Sequence, residues 1–198
     1  MPTPSCSVLL IKQTEQALTG FASLLQYGIV FHRDRPVDLV PFLLDLPGFS
    51  KEYIERTVQT IFINGVAADS LDRELPPGST LALSAAMPGL AGAIFRRQGL
   101  HGSLRSQTPE KPVAPPGQSG YITLKLFNMI AADRILDLLK HGICVTGLSL
   151  VAFAANREAL LQPPAALFLD HEPVSPRELL QAAVNRPFLT VRASLLPG

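Results

Sequence analysis

Two stretches, Phe21–Val30 "FASLLQYGIV" and Ile135–Cys144 "ILDLLKHGIC", decide how this chain is organised. Leu24, Leu25, Gly28 and Ile29 align without a gap on Leu138, Leu139, Gly142 and Ile143. Both stretches read as the end of a helix. Apolar residues recur at helical spacing, Ala17, Phe21, Leu24 and Leu25 in the first and Ile130 and Leu138 in the second. A glycine then stands where the chain wants a left-handed cap, which only glycine adopts at low cost. A short apolar run, "IVF" or "ICV", leaves each cap as a strand.

The likeness extends outward in both directions. Upstream, "SVLLIK" corresponds to "GYITLKL". Downstream, "TIFING" (Thr60–Gly65) corresponds to "ALFLDH" (Ala166–His171), and "TLALSAAMPG" (Thr80–Gly89) to "FLTVRASLLPG" (Phe188–Gly198). Four blocks in the same order predict an internal duplication. The fold class expected is α+β, with two sequence-related units, each roughly β-α-β-(α)-β-β. The strands are Val8–Lys12 and Tyr121–Leu126, then the short runs after the caps. The closing strands are Ile61–Asn64 with Leu81–Ser84, and Leu167–Asp170 with Leu189–Ala193. The first helices run over about 14–27 and 128–141. The second helical segments are Val37–Leu46 with Lys51–Thr57, and Leu148–Leu161. Asn64-Gly65 is expected as a tight turn of positive φ, and Asp170-His171 as its counterpart. The units are then 1–89 and 120–198. Residues 90–119 form an insertion without a counterpart, Gly/Arg-rich at first and then a Pro-rich linker, "TPEKPVAPPGQSG".

"FINGVAADSLDRELPPGSTLALSAAMPG" resembles the last third of ubiquitin-like β-grasp domains of the sulfur-carrier type. Asn64-Gly65 and Gly78-Ser79 stand where that family has its turns. The resemblance implies a β-grasp-like fold for each unit. The family's carrier chemistry uses a free terminal Gly-Gly, whereas here Gly89 lies mid-sequence and the chain given closes on Pro197-Gly198. The resemblance therefore implies the fold and not the carrier activity.

Composition narrows the functional classes. Of 198 residues, 47% are apolar and 17% charged, which allows a sizeable core and leaves apolar surface for a second copy to cover. A homo-oligomer, a dimer by the commonest symmetry, is the expected state. A net charge of +1 gives no global field for nucleic acid or a membrane surface. The uncharged run Ser79–Phe95 is interrupted by Pro88 and small residues, so a buried strand and turn are expected rather than a membrane span. The opening "MPTPSCSVLLIK" lacks the basic region of a secretory leader, and a cytoplasmic location is expected.

Reactive groups are sparse. Cys6 and Cys144 make no disulfide framework, no two histidines have metal-ligand spacing, and neither a metal nor another cofactor is expected. Ser84 lacks the Gly-x-Ser-x-Gly elbow. One candidate site is an anion site in "AAMPGLAGAIFRRQGLHGSLRS" (Ala85–Ser106). There Gly89 and Gly92 allow close backbone approach, and Arg96, Arg97, His101 and Arg105 supply donors suited to carboxylate or phosphate. The plainer alternative is that the apolar part packs between the two units while the arginines face water or pair with acids from elsewhere. A secondary candidate is His32 with Asp34, the carboxylate orienting the imidazole for acid–base work; a solvated charged turn is the plainer reading. Whether the protein is an enzyme is left open by these residues. The first expectation is a non-catalytic binding or assembly protein of duplicated architecture. The alternative is a small enzyme or ligand-binding protein using the anion site.

Overall fold

The computed structural model describes residues 6–85, 94–97 and 120–196. The fold is mixed α+β. In chain order the elements are β1 (Ser7–Gln13), α1 (Glu15–Thr19), a 3-10 turn (Gly20–Ser23), α2 (Leu24–Tyr27), β2 (Ile29–His32), β3 (Val37–Asp38), α3 (Leu39–Leu44), α4 (Lys51–Thr57), β4 (Thr60–Ile63), β5 (Val66–Ala68), β6 (Glu74–Leu75) and β7 (Thr80–Ser84). There follow β8 (Tyr121–Phe127), α5 (Asn128–His141), β9 (Ile143–Thr146), α6 (Gly147–Arg157), a 3-10 turn (Glu158–Leu161), β10 (Ala166–Leu169), β11 (Glu172–Pro173), α7 (Pro176–Val184) and β12 (Phe188–Leu195). Among the described residues no helix is long and apolar enough to cross a membrane.

By contacts the chain falls into two compact units, Met1–Val30 with Ala132–Gly198, and Phe31–Ala131. The first holds a five-stranded sheet in the order β11-β10-β1-β12-β9. Its central pair, β1 and β12, is parallel, with Leu9 opposite Val191. Alternation puts Leu9, Ile11, Leu167, Leu189, Val191, Ile143 and Val145 on a buried face. The helices of this unit bury Phe21, Leu24, Leu25, Phe153 and Leu179, and the Phe21 and Phe153 rings lie 5.1 Å apart.

The unit Phe31–Ala131 is built around the sheet β2-β8-β7-β4-β5. Here β7 and β8 are the parallel central pair, and β4 runs antiparallel to β7. Ile61, Leu81, Leu83, Ile122, Leu124 and Leu126 are fully buried, as are Leu39 and Leu43 of α3. A two-stranded ladder, β3 with β6, completes the unit.

The glycine caps stand where the sequence puts them. Gly28 ends α2 with φ +115°, and Gly142 ends α5 with φ +99°, its amide donating to the Leu138 carbonyl at 2.9 Å. The tight turns are also there: Asn64 and Gly65 have φ +52° and +82°, Asp170 and His171 +51° and +76°. In each turn the first side chain clasps a neighbouring strand. Asn64 Oδ1 accepts from the Thr80 amide of β7 at 2.8 Å, and Asp170 Oδ1 accepts from the Val8 amide of β1 at 2.7 Å.

One expectation needs revision. The helix expected over 14–27 is interrupted by the 3-10 turn at Gly20, where a Cβ would come within 3.0 Å of the Leu160 side chain, so the chain is tightly apposed there. Residues 176–184, between the two closing strands, form α7. Its start carries a full capping box. Ser175 Oγ accepts from the Glu178 amide, Glu178 Oε2 accepts from the Ser175 amide at 2.8 Å, and Pro176 occupies the first turn.

The Ser175 amide and, at 2.7 Å, the Ser175 hydroxyl both donate to Glu178 Oε2 and hold the carboxyl below its ordinary range. The sign follows directly. A carboxyl whose folded pKa is depressed stabilises the fold above its unfolded pKa, about 4.3 for glutamate. That contribution fades as pH falls through the folded value. Ser175→Ala is expected to destabilise the protein by about 1 kcal/mol at neutral pH. Glu178→Gln should show its deficit at neutral pH and lose it in acid. Urea melts at neutral and acidic pH check both, and a pH-independent Glu178→Gln deficit would contradict the account.

Candidate functional site

The residues singled out in the sequence separate into three places. His32 closes β2, and Asp34 lies just beyond in the turn. His32 Nε2 stands 3.3 Å from Asp34 Oδ1, with the Tyr121 ring edge-on to the imidazole at 5.2 Å. Arg33 is tied back, its amide donating to the Gly120 carbonyl at 2.8 Å and its guanidinium lying over the Phe42 ring. The structure thus brings His32 and Asp34 together. Their side chains are 47% and 80% exposed. In water such a pair gains little Coulomb energy, and solvent competes for the imidazole proton.

Of the anion-site candidates, Gly89, Gly92, His101 and Arg105 lie outside the described residues. Arg96 and Arg97 are described, and both turn toward the chain itself. Arg96 Nε donates to Gln59 Oε1 at 2.8 Å. Arg97 donates through its amide to the Gln59 carbonyl at 2.7 Å and through Nη2 to the Glu55 carbonyl at 3.2 Å. Burial lowers the Arg97 pKa, and the Glu55 carboxylate opposes that shift. The Phe95 ring sits 5.4 Å from Phe62. Residues 94–97 are thereby fastened to the end of α4 and the start of β4.

The third place was not singled out. The outward face of the sheet in Phe31–Ala131 carries Ala67, Phe62, Ala82 and Lys125 in one row across β5, β4, β7 and β8. The next row on that side of the sheet carries Thr60, Ser84 and Phe127, of which Thr60 and Ser84 are buried. Between the rows lies a cavity of about 440 Å³ walled by Phe62, Thr80, Ala82, Ser84, Phe127 and Asn128. Its lining is mostly apolar. Its polar end is fixed, since Asn128, with φ +52°, donates from Nδ2 to Ser84 Oγ at 2.9 Å. Such a hollow accepts apolar side chains or ligand groups, with one hydroxyl and one amide to orient them. A signal was present in the sequence: Phe62 and Phe127 alternate with buried aliphatic residues, which places both rings on the face away from the core.

The sequence matches no protein-family model, no curated protein is significantly similar to it, and no solved structure matches its fold significantly. The reading of function therefore rests on the side chains. Among the described residues no group of three or more His, Cys, Asp or Glu is placed to hold a metal ion.

Proposed function

We propose that this is a non-catalytic binding or assembly protein of duplicated α+β architecture, each unit β-grasp-like, which pairs with a second copy through the outward face of the Phe31–Ala131 sheet. The observation that carries the reading is the cavity bounded by Phe62, Ala82 and Phe127, a mostly apolar recess on an outer sheet face. Apolar surface of this kind gains about 25 cal/mol per Å² when covered, and a two-fold copy covers it with the same residues. Lys125, in the same row, supplies a polar rim.

The relatedness of the two units draws on their matching details. Each has a five-stranded sheet with a parallel central pair. Each has a hairpin whose first turn residue is in the left-handed region and whose side chain accepts from the adjacent central strand.

Sedimentation equilibrium tests the assembly. The protein is expected as a dimer at micromolar concentration. Ala82→Arg, which sets a charge in the middle of the recess, is expected to give a monomer with an unchanged far-UV spectrum. A wild-type protein that stays monomeric, or an Ala82→Arg variant that dimerises as tightly as wild type, would overturn the reading.

A further inference from the structure

On one side β12 outruns its neighbour. β9 begins at Ile143, opposite Val191, whereas β12 continues to Leu195, and among the described residues no strand pairs with it on that side beyond Val191. On the other side β1 stays paired to the end, Gln13 lying opposite Leu195. The Leu196 amide donates to the Gln13 carbonyl at 3.1 Å, toward β1. Peptide groups alternate in direction along a strand, so the N–H and C=O of Ala193 and Leu195 face the open side. Their side chains continue the core face of Leu189 and Val191. Those two are fully buried, Ala193 is half-buried, and Leu195 is 58% exposed. A cavity of about 520 Å³ lies where the cover is lost, walled by Leu18 of α1, Leu136 and Leu139 of α5, and Ala193 and Leu195. An unpaired strand edge beside an apolar groove suits an extended peptide, whose backbone bonds to the edge while alternate side chains enter the groove.

The two ends of the groove differ in charge, and this decides what kind of peptide fits. Lys140 lines the cavity two residues before Gly142, and Arg192 Nε stands 2.8 Å from where a Cβ on Gly142 would be, so both cations mark the end where β9 begins. Glu15 lines the other end, two residues past Gln13, the partner of Leu195. An added strand has no room to run on past Arg192, because Gly142 and β9 occupy that line. It ends there, beside two cations. A strand parallel to β12 would begin at that point and bring its amino group against Lys140 and Arg192. An antiparallel strand brings its terminal carboxylate instead.

We propose that the edge Ala193–Leu195 and its groove bind the free C-terminal tail of a partner protein as an extended strand antiparallel to β12. The last residue of the tail pairs with Ala193 and the third from last with Leu195. Both are apolar and turn into the groove. The fifth from last, on the same face, is basic and meets Glu15, while the terminal carboxylate meets Lys140 and Arg192. The site belongs to the unit Met1–Val30 with Ala132–Gly198 and does not depend on the pairing face of Phe31–Ala131.

The test uses the full chain and a synthetic peptide, Lys-Ser-Val-Thr-Val, with a fluorophore on its amino end and a free carboxylate, followed by fluorescence anisotropy. Saturable binding is expected. Amidation of the carboxylate should weaken it by about fivefold, the upper end for an exposed charge pair. N-methylation of the last valine, whose amide faces β12, should abolish binding, and N-methylation of the threonine, whose amide faces away, should leave it unchanged. Lys140→Glu is expected to remove the preference for the carboxylate over the amide. Glu15→Lys should weaken this peptide and favour the one with glutamate in place of its lysine. No saturable binding to wild type, or equal binding of the acid and the amide, or of the peptide methylated at the last valine, would overturn the proposal. So would an oligomeric state of the wild type that Lys140→Glu abolishes, which would assign the edge to a second copy. The peptide series on the wild-type protein decides the matter even if a variant does not fold.

Discussion

Gly147→Ala is expected to destabilise the protein by at least about 3 kcal/mol, the upper end of what overpacking costs. Gly147 is the first residue of α6, and Thr146 caps that helix by accepting from the Ser149 amide at 3.1 Å. A Cβ at Gly147 would collide with the carbonyl oxygens of Ala183 and Arg186 and stand 3.0 Å from the Ala183 carbonyl carbon. None of these is the far end of a flexible side chain. The Ala183 carbonyl accepts from the Arg186 amide at 3.0 Å and so belongs to the end of α7. Relieving the collision means moving one helix away from the other or breaking that end. For a chain of this size the loss corresponds to a melting midpoint lower by roughly 6–12 °C. Gly65→Ala is the control. Gly65 has φ +82° and nothing within 4 Å of a Cβ, so only the left-handed backbone, about 1–2 kcal/mol, opposes the substitution. Melting the two variants side by side checks the argument. Equal losses would mean that the close approach of the α6 start to Ala183 is not what Gly147 is needed for.

Gly147 also shows where the sequence stops being readable. The second helical segment was legible over Leu148–Leu161 from its apolar spacing, and the structure has α6 and a 3-10 turn there. The need for glycine just before it comes from carbonyls nearly forty positions away, and local pattern does not contain that. Gly28 and Gly142 were legible because a helix cap is a local device. So were the turns at Asn64-Gly65 and Asp170-His171, which depend on neighbouring residues alone. The helix α7 was legible and passed over: Ser175, Pro176 and Glu178 form a capping box with proline at the first turn, and Leu179 and Ala183 lie one turn apart on its buried side. The recess at Phe62, Ala82 and Phe127 needs strand order to be seen, because β4, β7 and β8 are far apart in sequence.

Strand order has its largest consequence for the halves of the chain. Each compact unit takes a central strand from both halves: β1 pairs with β10 and β12, and β8 pairs with β7. The segment 1–119 alone would lack β8 and with it the fully buried Ile122, Leu124 and Leu126. At about 1.5–3 kcal/mol per fully buried aliphatic side chain, the three amount to roughly 5–9 kcal/mol. That is comparable to the whole stability of a typical domain, about 5–15 kcal/mol. The segment 120–198 alone would lack β1, the strand between β10 and β12, and the buried Leu9 and Ile11. Neither segment is therefore expected to fold by itself, although the proposed duplication divides the chain at that point. Expressed together as separate chains, they are expected to copurify as a 1:1 complex with the far-UV spectrum of the intact protein, because the strand pairings do not require the covalent link through residues 90–119. Joining the halves in one chain adds only effective concentration. The complex should consequently melt below the intact protein and at a midpoint that rises with concentration. A cooperative transition in either segment alone, at the midpoint of the intact chain, would show that the sequence halves, and not the interleaved units, are the folding units.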